Sequence, residues 1–587
     1  MIHQRHIQKT LDKLKRLERV YELYIFKKVD EIPVVYWETQ EHRYRVPGEE
    51  EDWNPVCEGM AWGKAWGSAW FKGEYRVPSV QEGQKIYIRA NTDGVETLFW
   101  VDGKPSGIFT HSKEADNRGN HHTLLGIIGH SHMDTAWLWT RDETIRKCAR
   151  TYANALALME QYPEYTFIQS SAFHAELMRR HYPDIFESMK KRIAEGRWEP
   201  NGGVWIECDC NLVSGESLVR QFLKGQRYTR KHFGYTADAF WLPDTFGYSA
   251  AIPQIMVGAG VKYFLTTKLS WNDTNAFPYD TFRWRGLDGT EVLTHFNFIH
   301  CWPDAGSLIE RVYGTAYGSN GVSVQSEGQP RLVNDKRLVS YGYGDGGGGP
   351  QYEMLETARR VFDLEGAPKT AHTTVSRFMR GLEKASAKFP VHVGELYFEG
   401  HRGTLTQMHQ IKRNNRKAEL AIRDLEFAEV WVRRYSGVWN EEATEQRERI
   451  HATLLINQFH DILPGTSIPE VHDRALLEIT EVVSHANRWT KKLLGDIDEE
   501  DVDGDSMSVT LWNTLAWDRQ ETFALEGDWG GACRGKSRAC QPTNRRYSRQ
   551  IQGADRRFVD TGYEQKDVPL EERQALLREV RFHSCRK

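Results

Sequence analysis

The sequence predicts an α/β fold, a parallel sheet or β/α barrel followed by a helical bundle, with partial β domains at both ends. Three observations predict it. Strand-like and helix-like segments alternate from about 123 to 385, which implies parallel strands joined by helices. From about 407 to 500 the pattern turns almost wholly helical. Short aromatic and β-branched runs fill 66–110 and resume near 508. At roughly 100–200 residues per domain, the 587 residues then divide as 1–122, 123–390, 391–500 and 501–587.

In chain order, residues 4–30 place Ile7, Leu11, Leu14, Leu17, Val20 and Leu23 at helical spacing and predict an amphipathic helix. That end has no apolar core of a signal peptide. AWFKGEYRV, KIYIRA and ETLFWVDGKPSGIF read as strands, with a hairpin turn at Asp102-Gly103. LLGIIGHSHMD, TADAFWLPD, KYFLTTK, EVLTHFNF and RLVSYGYGD read as buried strands. RDETIRKCARTYANALALMEQY and YEMLETARRVFDLEG read as helices among them. An acidic linker, DIDEEDVDGDS, precedes the β-like SVTLWNTLAW. Residues 531–587 hold 14 basic against 7 acidic residues, a local +7 that leaves −11 for the rest. A nucleic-acid tail and an altered, poorly packing terminus both fit that stretch, and its lack of apolar period favours the second.

Overall, 77 basic and 81 acidic residues give a formal charge of −4, so no global field draws the chain to nucleic acid or an anionic membrane. No run reaches the roughly 18 apolar residues of a membrane helix. The 8 cysteines are scattered, unlike a disulfide framework, and a cytoplasmic protein is expected. Cys208 and Cys210 form a C-x-C that reads as structural rather than as half of a metal site. Aromatic residues reach 12%; such faces stack on sugar rings but also fill cores.

Four places carry chemistry. Past LLGIIG, residues His130, His132 and Asp134 alternate onto one face if the chain stays extended. Two imidazoles and a carboxylate there make a divalent-metal edge or a hydrogen-bonded polar corner. Trp137 follows at once. Asp244 ends the strand AFWLPD, where it is an active-site carboxylate or a helix N-cap. Asp345 stands before four glycines in a loop too unlike a P-loop for phosphate to be favoured. His460-Asp461 closes a helix before Pro464-Gly465, as a core pair or as groups reaching a neighbouring domain. Carboxylates plus a Lewis acid fit glycoside cleavage or metal-assisted hydrolysis.

The segments GHSHMDTAWLW, GGVWIECDCNLVSGESLVRQ, FWLPDTFGYS, ELYFEGHRGTLTQ and NQFHDILPGTSI closely resemble, in order and spacing, the α-mannosidases of glycoside hydrolase family 38, most of all their cytosolic and bacterial branch. The resemblance covers roughly 123–515. It implies a seven-stranded β/α barrel, a three-helix bundle and large β domains. It also implies one zinc ion held by His132, Asp134, Asp244 and His460; cobalt or manganese suits such ligands too. Asp244 would be the nucleophile, Asp345 the candidate acid/base, and Trp137 and Asp461 would bind substrate. The implied activity is retaining hydrolysis of terminal α-mannose from mannose-containing oligosaccharides, with homo-oligomeric assembly suggested by relatives. The sequence departs from the family at both ends, in a shortened β segment before 123 and in the basic stretch that replaces the family's long β region after about 525. A deletion and a shifted reading frame would give that pattern. Two other readings remain: a zinc-dependent carbohydrate deacetylase-like hydrolase on a similar barrel, and a catalytically impaired fragment that only binds mannosides.

Overall fold

The computed structural model describes residues 30–40, 45–56, 60, 68–76, 96–102 and 104–110, then 124–313 without 273 and 276, 336–495 without 365, 366 and 386–388, and finally 519–524 and 546–551. The chain divides into two compact units, Met1–Glu419 with Arg449–Val483, and Leu420–Glu448 with Ser484–Lys587. The helix predicted over 4–30, the acidic linker and most of the basic stretch lie outside the described residues.

In the first unit, strand β1 (Val34–Thr39) pairs antiparallel with β2 (Asn54–Pro55) and, along its whole length, with β3 (Ser68–Gly73). The β region therefore starts well before residue 66; VVYWET is one short run between charged stretches and gives no alternation to read. β4 (Glu96–Val101) and β5 (Lys104–Thr110) form the expected antiparallel hairpin. Asp102 sits at φ 49°, the left-handed conformation that a two-residue hairpin loop demands.

The central part alternates as its pattern predicts: β6 (Leu124–His130), α1 (Arg141–Gln161), β7 (Phe167–Gln169), α2 (Ala172–His181), α3 (Pro183–Ala194), β8 (Trp198–Pro200), α4 (Gly215–Phe233), β9 (Ala239–Trp241), α5 (Ile252–Gly258) and β10 (Tyr263–Thr266). A hairpin of β11 (Thr281–Arg285) and β12 (Glu291–Phe296) follows, then β13 (Phe298–Cys301), α6 (Ala305–Tyr313), β14 (Lys336–Tyr341), α7 (Tyr352–Val361), β15 (Lys369–His372), α8 (Val375–Ala385) and β16 (Val391–Val393). The fold is mixed α/β. One sheet has the order β13-β14-β6-β7-β8, with β15 also on β6, and every pairing in it is parallel. The other has the order β16-β11-β12-β10-β9, parallel except where β11 turns back on β12.

Both sheets feed one core. Ile128, Ile168 and Leu338 from the first meet Trp241, Leu265 and Leu293 from the second, with Phe378 and Met379 of α8 packed among them. Burying each such side chain contributes about 1.5–3 kcal/mol. The helices begin and end on local signals. Ser214 caps α4 by accepting from the Ser217 amide at 3.1 Å, a contact worth about 1 kcal/mol, and Gly234 closes the helix at φ 63°. Gly342 follows β14 at φ 151°, and a Cβ there would lie 2.1 Å from the His130 carbonyl oxygen, so only glycine lets the ends of β14 and β6 come this close.

Three long helices follow: α9 (His409–Ser436), α10 (Glu441–Asn457) and α11 (Pro469–Gly495). In the second unit, buried Arg447 of α10 pairs with Glu429 at 2.8 Å and Glu426 at 3.1 Å of α9. Strand β17 (Arg519–Ala524) pairs antiparallel with β18 (Arg546–Ile551), which falls inside the basic stretch.

Candidate active site

The parallel strands deliver their polar residues at or just past their C-terminal ends, the face on which α/β sheets and barrels carry their chemistry. β6 stops at His130, and residues 131–134 follow beyond the end of the strand. His130 stays in the core, its ring tilted against Trp241 at 5.4 Å. His132, rather than His130, lies beside Asp134. Asp244 lies three residues past β9, and His460 three residues past α10.

These four side chains converge. His132 Nε2 is 2.8 Å from Asp134 Oδ1 and 3.9 Å from Asp244 Oδ2. His460 Nε2 is 3.3 Å from the same Asp134 oxygen and 3.9 Å from the same Asp244 oxygen. The two imidazoles stack, with ring centroids 5.5 Å apart. His132, Asp134 and His460 are almost completely buried. Asp134 Oδ1 and the Nε2 atoms of both histidines nevertheless lack aligned hydrogen-bond partners. Ligand atoms of His132, Asp244 and His460, and of Asp134, His460 and Asp461, lie within 4.8 Å of one another. Orphaned nitrogens and carboxylate oxygens aimed at one point are the donor set of a divalent cation such as Zn2+, so these residues fit the metal that the sequence implies.

The electrostatics agree. Burial works against charge on His132, but Asp134, Glu207 and Asp244 outweigh it and raise its pKa well above the usual imidazole value. His460 is raised likewise against its burial, by Asp134 and Asp461. Burial would raise Asp134, yet His132 and His460 hold it below the ordinary carboxylate range. Asp244 is also lowered against its burial, chiefly by Lys268 and then by His132. Asp461 behaves differently. Burial lifts it to about 7 although His460 pulls it down.

Asp461 accepts a hydrogen bond from Thr466 Oγ1, and the Ile468 amide donates to the Trp137 carbonyl at 3.0 Å. One short segment thus ties Asp461 to partly exposed Trp137. Asp345 does not join the buried cluster. It sits 60% exposed on the glycine loop, 3.5 Å from His300 Nδ1. His300 in turn lies 6.2 Å from His132 between ring centroids, so Asp345 borders the cluster through one imidazole. The loop amides of Gly344, Gly347 and Gly348 are spent inside the turn, whereas a phosphate cradle would aim them outward. Its carbonyls accept from α1: Lys147 and Arg150 reach Gly346 at 2.9 and 3.2 Å, Thr151 reaches Gly347, and Asn154 reaches Pro350 at 2.7 Å.

Three neighbours of the cluster escape the sequence reading. Lys268, two residues past β10, donates to Asp244 Oδ1 at 2.7 Å and lies 4.1 Å from the Trp271 ring centre. His300 is held at φ 57° where β13 loses register against β14, a sparsely populated conformation of the kind that collects at functional sites. Glu207 stands behind both histidines, with Oε2 3.7 Å from His132 Nδ1 and 4.0 Å from His460 Nδ1. A lysine or acid at a strand end is a weak signal, but position just beyond a C-terminal strand end could have flagged Lys268. Cys208 and Cys210 are buried free thiols and enter no metal-ligating group among the described residues.

Residues 122–395 match the N-terminal domain of glycosyl hydrolases family 38, 399–497 the alpha mannosidase middle domain, and 31–125 the jelly roll domain of alpha-mannosidase. The chain belongs to glycoside hydrolase family 38. It is 39% identical over 407 residues to human alpha-mannosidase 2C1, which covers 69% of this chain and 38% of that protein. It is 34% identical over 441 residues to the alpha-mannosidase of Saccharomyces cerevisiae, covering 72% of this chain and 39% of that one. The chain therefore spans well under half the length of these relatives. Its fold is shared with an alpha-mannosidase crystal structure from Enterococcus faecalis V583, at TM-score 0.58 and 19% identity, covering 69% of this chain and 46% of that one. Among the described residues, no helix is long and apolar enough to cross a membrane.

Proposed function

We propose that this chain hydrolyses terminal α-mannose residues from mannose-containing oligosaccharides, with net retention, and that His132, Asp134, Asp244 and His460 hold one divalent cation, Zn2+ before Co2+ or Mn2+. The observation that carries this is the convergence of two unpartnered imidazole nitrogens on the carboxylates of Asp134 and Asp244. The seven parallel strands β6, β7, β8, β9, β10, β12 and β14 would be the barrel of the family, and α9–α11 its three-helix bundle. The cytoplasm remains the expected compartment.

The bound cation supplies Lewis acidity toward sugar hydroxyls. The rest falls to the protein's own groups. Asp244 has two distinct oxygens: Oδ2 faces the histidines and Oδ1 faces Lys268. A carboxylate so held is ionised and fixed in plane, as a nucleophile for the anomeric carbon must be. Asp345 protonates the leaving oxygen and then takes the proton of the water that releases mannose. Its exposure suits an acid that must reach a leaving group of variable size. Trp137 offers an apolar face to the sugar, and Asp461 a buried acceptor for its hydroxyls. Hydrolysis of an aryl α-mannoside before and after metal chelation tests the proposal. Full activity in the stripped protein would sink it.

A further inference from the structure

We propose, building on the metal reading above, that Glu207 is the positioning residue of the metal centre, one buried residue that aims the metal-facing nitrogens of both His132 and His460. A backbone bridge between Cys208 and Phe459 joins the two loops, with the Asp209 amide donating to the Gln458 carbonyl at 2.8 Å. That register sets Glu207 opposite His460. Its main-chain carbonyl accepts from the His460 amide at 3.2 Å and faces His460 Nδ1 at 3.1 Å. Its side-chain Oε2 lies between the two rings, 3.7 Å from His132 Nδ1 and 4.0 Å from His460 Nδ1. Both imidazoles therefore present Nδ1 to one residue and Nε2 to Asp134 and Asp244.

An imidazole that offers the Nε2 lone pair to a cation carries its proton on Nδ1, and a buried Nδ1–H needs an acceptor. Glu207 offers two oxygens: its main-chain carbonyl at hydrogen-bond distance from His460 Nδ1, and Oε2 at 3.7 Å from His132 Nδ1, which has no hydrogen-bond partner. It is itself pinned: Ser170 Oγ donates to Oε1, and the Glu207 amide donates to Ser171 Oγ at 3.2 Å. Glu207 is 1% exposed, and Oε2, the atom nearest His132, has no hydrogen-bond partner of its own. An apolar residue of similar volume would serve stability at least as well as a buried carboxylate with an open oxygen. Holding both rings explains the carboxylate.

The test uses the full chain stripped of metal, titrated with Zn2+ against a chromophoric chelator, and separately loaded with Co2+ for its visible spectrum. Glu207→Gln keeps the volume and the main-chain carbonyl. It should weaken Zn2+ binding about 10–100-fold, the usual effect of losing such a partner. It should also shift the Co2+ absorption bands while leaving the metal-free Tm equal or higher. An unchanged Kd and Co2+ spectrum would overturn the role, as would a metal-free Tm that falls in step with affinity. If the parent chain takes up no Zn2+, the metal reading falls too; if the parent binds and Glu207→Gln binds equally, only the role of Glu207 falls. Should Glu207→Gln not fold, Ser170→Ala, which only frees Oε1, should shift Kd and spectrum in the same direction.

Discussion

The buried cluster and the glycine loop are built on opposite plans. His132, Asp134 and His460 are fixed by burial, and together with half-buried Asp244 by one another, each within 4 Å of at least two other members. Asp345 is exposed, and its place is set by the main chain of its loop, which α1 holds through four side chains. A cation needs ligands that cannot move, whereas proton transfer needs a group that meets water and leaving group in turn. The contrast teaches that the site's rigidity and its reach are carried by different physics, packing in one case and backbone hydrogen bonding in the other.

The sharpest way to break the comparison is to remove Asp244. Asp244→Ala should cost at least about 10⁴-fold in kcat/KM toward an aryl α-mannoside, as losing a nucleophile does. A variant within tenfold of the parent would show that the buried cluster is not the reacting centre. Asp345→Asn should cost about 10²–10⁴-fold in kcat, and less with leaving groups that need no proton. Equal losses on good and poor leaving groups would remove Asp345 from the acid role.

His460→Ala should weaken Zn2+ binding by more than the 10–100-fold typical of a supporting residue, measured by chelator competition. In the metal-free protein, Asp461 is raised from 3.8 to about 7, and both cluster histidines are raised as well. Groups raised on folding contribute stability at low pH and lose it as pH rises through their folded values. The share of metal-free stability that these three groups supply should therefore fall as pH climbs, for Asp461 between about 4 and 7 and for the two histidines above the ordinary imidazole value. The loaded protein should show the reverse, since binding displaces those protons, so the Tm gain on adding Zn2+ should grow with pH. A gain that is flat with pH would contradict the shared burial of these groups. The smallest effect belongs to the loop: Asn154→Ala deletes one donor to Pro350, worth about 1 kcal/mol, and should lower kcat roughly fivefold with Zn2+ affinity unchanged.

Much of this was legible in the sequence, for physical reasons that differ by residue. Buried strands gave continuous apolar runs, so LLGIIG and AFWLPD announced both themselves and the polar residues at their ends. His130 against His132 was not decidable from alternation, because β6 ends at His130 and the two faces of the pleat are defined only within the sheet. His460 rose above an ordinary core histidine only through the motif around it. Glu207 was hidden among cysteines, since its partner lies across a single non-local bridge. Lys268 resembled any lysine ending a strand, and His300 acquires its place from a lost register and a positive φ that no periodicity encodes.

The bridge between Cys208 and Phe459 also bears on how the molecule comes to be. His460 meets Glu207 across 253 positions of chain, so the ligand set closes only after a very long loop has closed. During synthesis, His132, Asp134 and Asp244 emerge together and can gather only a half-formed pocket. Under the proposed metal reading, full capture of the cation must wait for the segment that carries His460, made long after the other three ligands.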